Sequence, residues 1–179
     1  WLCPSPEAAT GPRFAGGRHV GAYPREAEFA FALRHGMLYT LVTLFPEWFA
    51  SPLSTGLMAK AREAGVVDFA FANPRDKARD RHRSVDDRPY GGGPGMVLML
   101  DPLVRTLRAL PRPGRMLALS PDGRPLTQAL ARELAAEPAL TLICGRYEGF
   151  DARLFDVLPV ERVCVGEAVL NGGEAAALA

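Results

Sequence analysis

The sequence predicts an α/β domain built on a mainly parallel sheet, and three observations carry that prediction. Short apolar runs of strand character recur from Met37 onward, and most are separated by a single segment with helix punctuation. Strands joined through single helices imply right-handed crossovers and therefore parallel neighbours. The stretches after several of these runs are rich in glycine and turn residues, and sheets of this kind gather ligands beyond the carboxyl ends of their strands.

Residues 38–44 form the first strand. Pro46 suits the first turn of a helix that runs, with a break at Ser51-Pro52, to Glu63, and Gly65 caps it. Residues 66–72 form a second strand, followed by a polar, glycine-rich connection over 73–95. Asp101 serves as N-cap, with Pro102 at the first helical position, for a helix reaching about residue 110. A strand over 115–119, a helix over 127–136, a strand over 140–143, a helix capped by Asp151 and a strand over 160–165 complete the alternation. Residues 174–179 read as little more than one helical turn, too short to be stable alone because nucleation costs more than one turn returns. Residues 1–36, rich in Pro, Gly, Ala and Arg, show no sustained periodicity. They read as a poorly ordered extension or the product of a misassigned upstream start, with a short helix over 26–34 as the alternative. The first residue is Trp1, not Met, so the sequence reads as a fragment whose residues 37–179 form one domain.

A chain of 179 residues suits one domain with a proper core, and 48% apolar with 23% charged residues is ordinary for a globular protein. The net charge of +1 means that any nucleic-acid contact must use a local patch. Cys3, Cys144 and Cys164 form no CxxC pair and leave one over from any disulfide scheme, which points to reduced thiols in a cytoplasmic protein. No apolar run approaches the length of a membrane span, and no signal-peptide core is present.

The connection over 73–95 is the oddest feature. Arg75, Lys77, Arg79, Arg81, Arg83 and Arg88 outnumber its aspartates, so the stretch is locally basic. Charge alone would make it a solvated loop. Its continuation into Asp86-Asp87-Arg88-Pro89-Tyr90, three consecutive glycines, Pro94 and Gly95 changes that reading, because triple glycine implies tight turning or close approach of another molecule. A phosphate or RNA backbone fits such a loop. Neither GxGxxG nor GxxxxGK[ST] occurs, which argues against a dinucleotide or P-loop site. His82 with Asp86 and Asp87 would suit a metal-dependent phosphodiesterase, but adjacent loop residues are a weak metal signal, and His82 reads better as a polar loop residue. After a buried-looking strand comes Cys144-Gly145-Arg146-Tyr147-Glu148-Gly149-Phe150-Asp151, where Gly145 lets a ligand lie against the backbone. Arg146 and Glu148 stand at the edge of a cleft there, or form a salt-bridged turn. The last loop, 165–174, is apolar between its glycines, a mixture suited to the faces and edge of a flat aromatic ligand such as adenine.

These residues together resemble the bacterial tRNA (guanine-N1)-methyltransferases of the knotted SPOUT class. The resemblance runs from Met37 to the last residue through Leu44-Phe45-Pro46-Glu47, Asn73-Pro74-Arg75-Asp76 and Val85-Asp86-Asp87-Arg88-Pro89-Tyr90-Gly91-Gly92-Gly93-Pro94-Gly95-Met96. It continues through Leu119-Ser120-Pro121, Cys144-Gly145-Arg146-Tyr147-Glu148-Gly149, Val165-Gly166 and Leu170-Asn171-Gly172-Gly173-Glu174. It implies a deep trefoil knot, an obligate homodimer, and S-adenosyl-L-methionine (SAM) bound bent inside the knot. Carried over by position, the SAM contacts are Leu119, Ser120, Pro121, Gly145, Tyr147, Glu148, Val165, Gly166, Glu167, Ala168, Val169, Leu170, Gly172 and Gly173. The implied substrate is tRNA, methylated at N1 of the guanine 3′ of the anticodon, with Arg81, Arg83, Asp86, Arg88, Pro94 and Gly95 facing it.

Guanine N1 carries a proton and needs a positioned base before it can attack the sulfonium methyl in line. In the family that base resembles an aspartate in the linker after the knot, assisted by an arginine, and both positions fall beyond Ala179, as does the C-terminal tRNA-binding domain. The expectation is that the fragment is inactive by itself. Two residues depart from the family pattern: Glu167 stands where Asp is usual, and Ala168 where an aromatic is usual. Two other classes compete, a non-catalytic RNA-binding module using residues 74–88 and a hydrolase using Asp86, Asp87 and a metal. Only the methyltransferase reading accounts for all the loops at once.

Overall fold

The computed structural model describes residues 36–166 and 168–179. The expectations for residues 1–35, among them the disordered extension and the helix over 26–34, lie outside the described residues, as does Glu167. In chain order the elements are β1 (Met37–Val42), α1 (Gly56–Glu63), β2 (Val67–Ala72), β3 (Asp86–Asp87), β4 (Val97–Leu98), α2 (Leu100–Arg108), β5 (Arg115–Pro125), α3 (Gln128–Leu134), β6 (Ala139–Cys144), α4 (Leu154–Val157), β7 (Val160–Cys164) and α5 (Gly173–Leu178). Five strands form one sheet in the order β2-β1-β6-β5-β7, and every neighbouring pair is parallel. The α/β architecture is the expected one.

Side chains alternate faces along a strand, so two consecutive buried residues mark a sheet covered on both sides. Leu41 and Val42 are each 1% exposed. Leu41 packs with Phe49, Leu53, Leu119 and Cys144 on one face, while Val42 packs with Ala72, Leu103, Leu107 and Ile143 on the other. On α2, Leu103 and Leu107 stand one turn apart and enter that second cluster. On α3, Leu130 and Leu134 repeat the spacing against Leu117, Leu140 and Val163. Thr127 starts α3 by accepting a hydrogen bond from the Leu130 amide at 3.2 Å.

Several local expectations are corrected. The helix expected over 46–63 is α-helical only in α1; two 3-10 turns, Pro46–Phe49 and Pro52–Ser54, precede it. Pro52 has no amide hydrogen to continue a ladder, and Gly56, at φ +60°, turns the chain as α1 begins. Asp101 does not cap α2. The N-cap is Met99, and Asp101 lies in the first turn with its carboxylate 3.8 Å from Arg105 and 4.0 Å from Arg79. Pro102 is tolerated there because first-turn amides lack helical acceptors anyway. β5 does not stop at Leu119: both Leu119 and Arg124 pair with Val163, and residues 120–123 bulge out between them. Gly123 permits this, since a Cβ there would lie 2.5 Å from the Val163 nitrogen.

The connection over 73–95 is also more ordered than its composition suggests. Asn73 Oδ1 accepts from the Arg75 amide at 3.0 Å and caps a 3-10 turn, Pro74–Lys77. Val85 is buried with Leu44 and Leu98, and β3 pairs antiparallel with β4. Gly91, Gly92 and Gly93 all have positive φ, and a Cβ on any of them would meet open space. Tight turning, not crowding within the chain, is why glycine stands there.

Candidate functional site

The carboxyl ends of β5, β6 and β7 open onto a single cleft of about 720 Å³. β7 lies at the sheet edge beside β5, yet the chain after it returns past β5 to the end of β6, where the Gly173 amide donates to the Gly145 carbonyl at 2.9 Å. That return makes the loop over 165–172 a wall of the cleft. Leu119, Ser120 and Pro121 line it from β5, and Gly145, Tyr147 and Glu148 line it from the turn after β6. Val165, Ala168, Val169, Leu170, Gly172 and Gly173 line it from the returning loop. Gly166 is not among the lining residues; at φ +82° it shapes the loop's backbone instead. Leu44, Phe45, Asp122, Phe155, Arg162 and Cys164 also line the cleft and were not singled out from sequence. The motif containing Leu44 and Phe45 was a signal, but only strand order shows that the end of β1 lies beside the end of β6.

The glycines have distinct reasons. Gly172 has φ 165°, ordinary extended backbone, so backbone restriction does not explain it. A Cβ there would fall 2.5 Å from Arg146 Nε and 2.7 Å from Glu174 Oε2. At Gly173 a Cβ would lie 2.6 Å from Cys144 Cα. A Cβ on Gly145 would meet the Leu119 carbonyl at 3.0 Å and the Phe150 ring at 3.2 Å. A side chain at Gly145 therefore presses on the protein itself as well as on the space in front of it.

Arg146 lines the cleft, and its salt bridge runs to Glu174, outside the turn, rather than to Glu148 within it. Tyr147 has φ +59°, a strained value for a bulky residue that no sequence pattern announces. Its hydroxyl donates to Asp86 Oδ1 at 3.1 Å, and burial first, then Asp86, raise its pKa above the usual phenol value. The Glu148 amide donates to the Met96 carbonyl at 2.9 Å, and the Leu98 amide donates to the Gly149 carbonyl at 2.9 Å. A Cβ on Gly95 would fall 2.5 Å from the Glu148 side chain. These contacts dock one end of the glycine-rich loop, with Asp86 and Gly95, against the cleft. Arg81, Arg83, Arg88 and Pro94 do not line the cleft and are exposed. Asp86 and Asp87 have different partners: Asp86 accepts from Tyr147, and Asp87 accepts from the Arg88 amide. Among the described residues, no group of three or more His, Cys, Asp or Glu is placed to hold a metal ion.

The family model described as tRNA (Guanine-1)-methyltransferase TrmD matches residues 37–179. The chain belongs to the tRNA (guanine-1)-methyltransferase family. It is 64% identical over 143 residues to a tRNA (guanine-N(1)-)-methyltransferase of Oleidesulfovibrio alaskensis and 60% identical over 143 residues to that of Nitratidesulfovibrio vulgaris; each match covers 80% of this chain. A protein of the same name from Synechococcus sp. is 50% identical over 145 residues. The chain spans 34% of the length of the first two relatives and 57% of the third. A methyltransferase family implies a methyl donor, and all the motifs behind the resemblance lie inside the matched residues. On the returning loop, Ala168, Val169 and Leu170 are exposed and line the cleft. Among the described residues no helix is long and apolar enough to cross a membrane.

Proposed function

We propose that the cleft binds SAM and that, in the full-length protein, this domain supports methylation of N1 of the guanine 3′ of the anticodon in tRNA. The observation that carries the proposal is the convergence of three sequence-distant segments, after β5, β6 and β7, on one cleft. The residues present fit the group. A volume of about 720 Å³ lies within the usual range for small-molecule sites. Val169 and Leu170 offer apolar surface to a flat ring, Gly145 adds no side chain to the cleft wall, and Glu148 supplies a carboxylate for a cationic ligand.

When bound, SAM supplies an electrophilic methyl group. The work of this chain is to hold the donor, orient it and exclude water from it. Proton removal from guanine is assigned to neither cleft carboxylate of the β5 and β6 loops. Asp122 accepts from Ser120 and lies 3.5 Å from Arg162, while Glu148 is packed against Gly95. The same reading includes a homodimer, threading of the chain after β7 into a knot, and a cytoplasmic setting. The path from β7 back to β6 supports the threading, and exposed Trp48 and Leu57 give apolar surface for a second copy.

Calorimetry with SAM tests the proposal. The full-length protein should bind SAM, Gly145→Ala should bind more weakly, and Gly145→Val should show no measurable binding. Because Val presses on Leu119 and Phe150, circular dichroism of that variant must accompany the titration. SAM affinity unchanged in a folded Gly145→Val would refute the site.

A further inference from the structure

Glu174 is 1% exposed and is the one fully buried acidic or basic side chain among the described residues. It does not line the cleft. A buried charge is destabilising unless it is paired, so a carboxylate kept there needs a reason. Its partners come from two separate parts of the chain. Thr43 Oγ1, just past β1, donates to Oε1 at 2.7 Å. Arg146 Nε, in the turn after β6, donates to Oε1 at 3.3 Å, and Arg146 Nη2 stands 2.8 Å from Oε2. That last approach is an ion pair by distance, although Oε2 receives no aligned hydrogen bond. Arg146 Nη1 then donates to the Asn171 carbonyl at 3.0 Å, inside the returning loop, and the guanidinium carbon lies 4.6 Å from the centre of the Phe45 ring. Gly172 and Gly173 are bare where this cluster closes, because a Cβ on Gly172 would strike Arg146 and one on Gly173 would strike Cys144.

Arg146 is therefore occupied on several sides. Its guanidinium faces the Glu174 carboxylate and the Asn171 carbonyl and lies over an aromatic ring, so it acts as a strut between elements and not as a free cation awaiting an anionic ligand group. We infer that Glu174 is a positioning residue. Through Arg146 it holds the Asn171 end of the returning loop against β6, and this sets the shape of the cleft wall although Glu174 itself touches no ligand. The inference rests on the reading of the cleft as a SAM site.

The test uses the full-length protein, with steady-state methylation of tRNA and direct SAM titration. Glu174→Gln keeps size and removes the charge; Thr43→Val keeps shape and removes one hydrogen bond to the same carboxylate. For Glu174→Gln, the KM for SAM should rise by about tenfold or more, consistent with loss of one charge-assisted interaction, with kcat at saturating SAM within about twofold. Thr43→Val should move KM in the same direction by a smaller factor. A merely structural role would lower the active fraction, and hence kcat, at unchanged KM. Arg146→Gln combined with Glu174→Gln should be less damaging than the sum of the two changes, since removing both charges leaves neither buried alone. Unchanged KM in Glu174→Gln overturns the inference. If that variant does not fold, unchanged KM in Thr43→Val overturns it instead. Absence of SAM binding by the unsubstituted protein would sink the site reading, a distinct outcome.

Discussion

Cys144 ends β6 and Cys164 ends β7, but their thiols lie in different surroundings. Burial pushes the Cys144 thiol well above its ordinary pKa, with the Glu174 carboxylate adding to the shift and Arg146 opposing it. Cys164 is partly exposed, lines the cleft, and donates from Sγ to the Gly166 carbonyl at 3.0 Å. Alkylation requires access and a thiolate, so near pH 8 iodoacetamide should label Cys164 and spare Cys144, as read by peptide mass mapping. Saturating SAM should slow the Cys164 reaction by about fivefold or more, because a bound ligand blocks access to the sulfur. Equal rates with and without SAM would place the donor elsewhere. The sequence showed three cysteines without a pairing motif; which of Cys144 and Cys164 faces a ligand depends on where two strands end in space.

The first residue of β5 ties three elements together. Arg115 lies 2.6 Å from Glu161 on β7 and 2.5 Å from Glu133 on α3. Arg115 holds the Glu161 carboxyl below its ordinary value of 4.5. A carboxylate with a depressed folded pKa contributes stability that is fully present above the unfolded value and is lost as pH falls through the folded one. Both glutamates are nearly half exposed, so water screens the pairs. Arg115→Ala should therefore cost no more than about 1 kcal/mol at neutral pH. That difference should shrink as pH drops below about 4. Urea unfolding at the two pH values checks this, and an equal loss at both would assign the effect to packing of the arginine stem. Helix α3 was legible because its cap and its paired leucines are local signals. The segment over 46–63 was not, because proline spacing announces a break without saying whether the turns beside it are α or 3-10.

At the scale of the whole molecule, the near-neutral chain carries exposed arginines on the loop that docks against the cleft. Asp86 and Gly95 anchor one end of the glycine-rich loop to the turn after β6, while Arg81, Arg83 and Arg88 remain exposed. Arg83 stands 3.9 Å from Asp76, too far and too exposed for that contact to hold it. If the loop meets tRNA phosphates, Arg81→Ala with Arg83→Ala in the full-length protein should weaken tRNA binding. The salt dependence should flatten by roughly the counterions released at two phosphates. SAM affinity should be unchanged. A filter-binding series across salt concentrations measures this, and an identical slope for the double variant would remove these residues from the RNA contact.

By itself the sequence determined the class of fold, the order of its strands and helices, the glycine-bearing loops and the family. These are readable because apolar period, caps and motif strings are properties of neighbours along the chain. It also singled out most of the segments that line the cleft, since loops at strand ends are where a parallel sheet carries ligands. Only the tertiary structure decided that the chain after β7 returns to β6, that Gly172 is bare to admit Arg146, and that Tyr147 takes a strained backbone. It alone showed that Glu174, read in sequence as the start of little more than one helical turn, is a buried charge joined to Thr43 and Arg146. Burial and ion pairing depend on which distant segments meet, and no local pattern encodes that meeting.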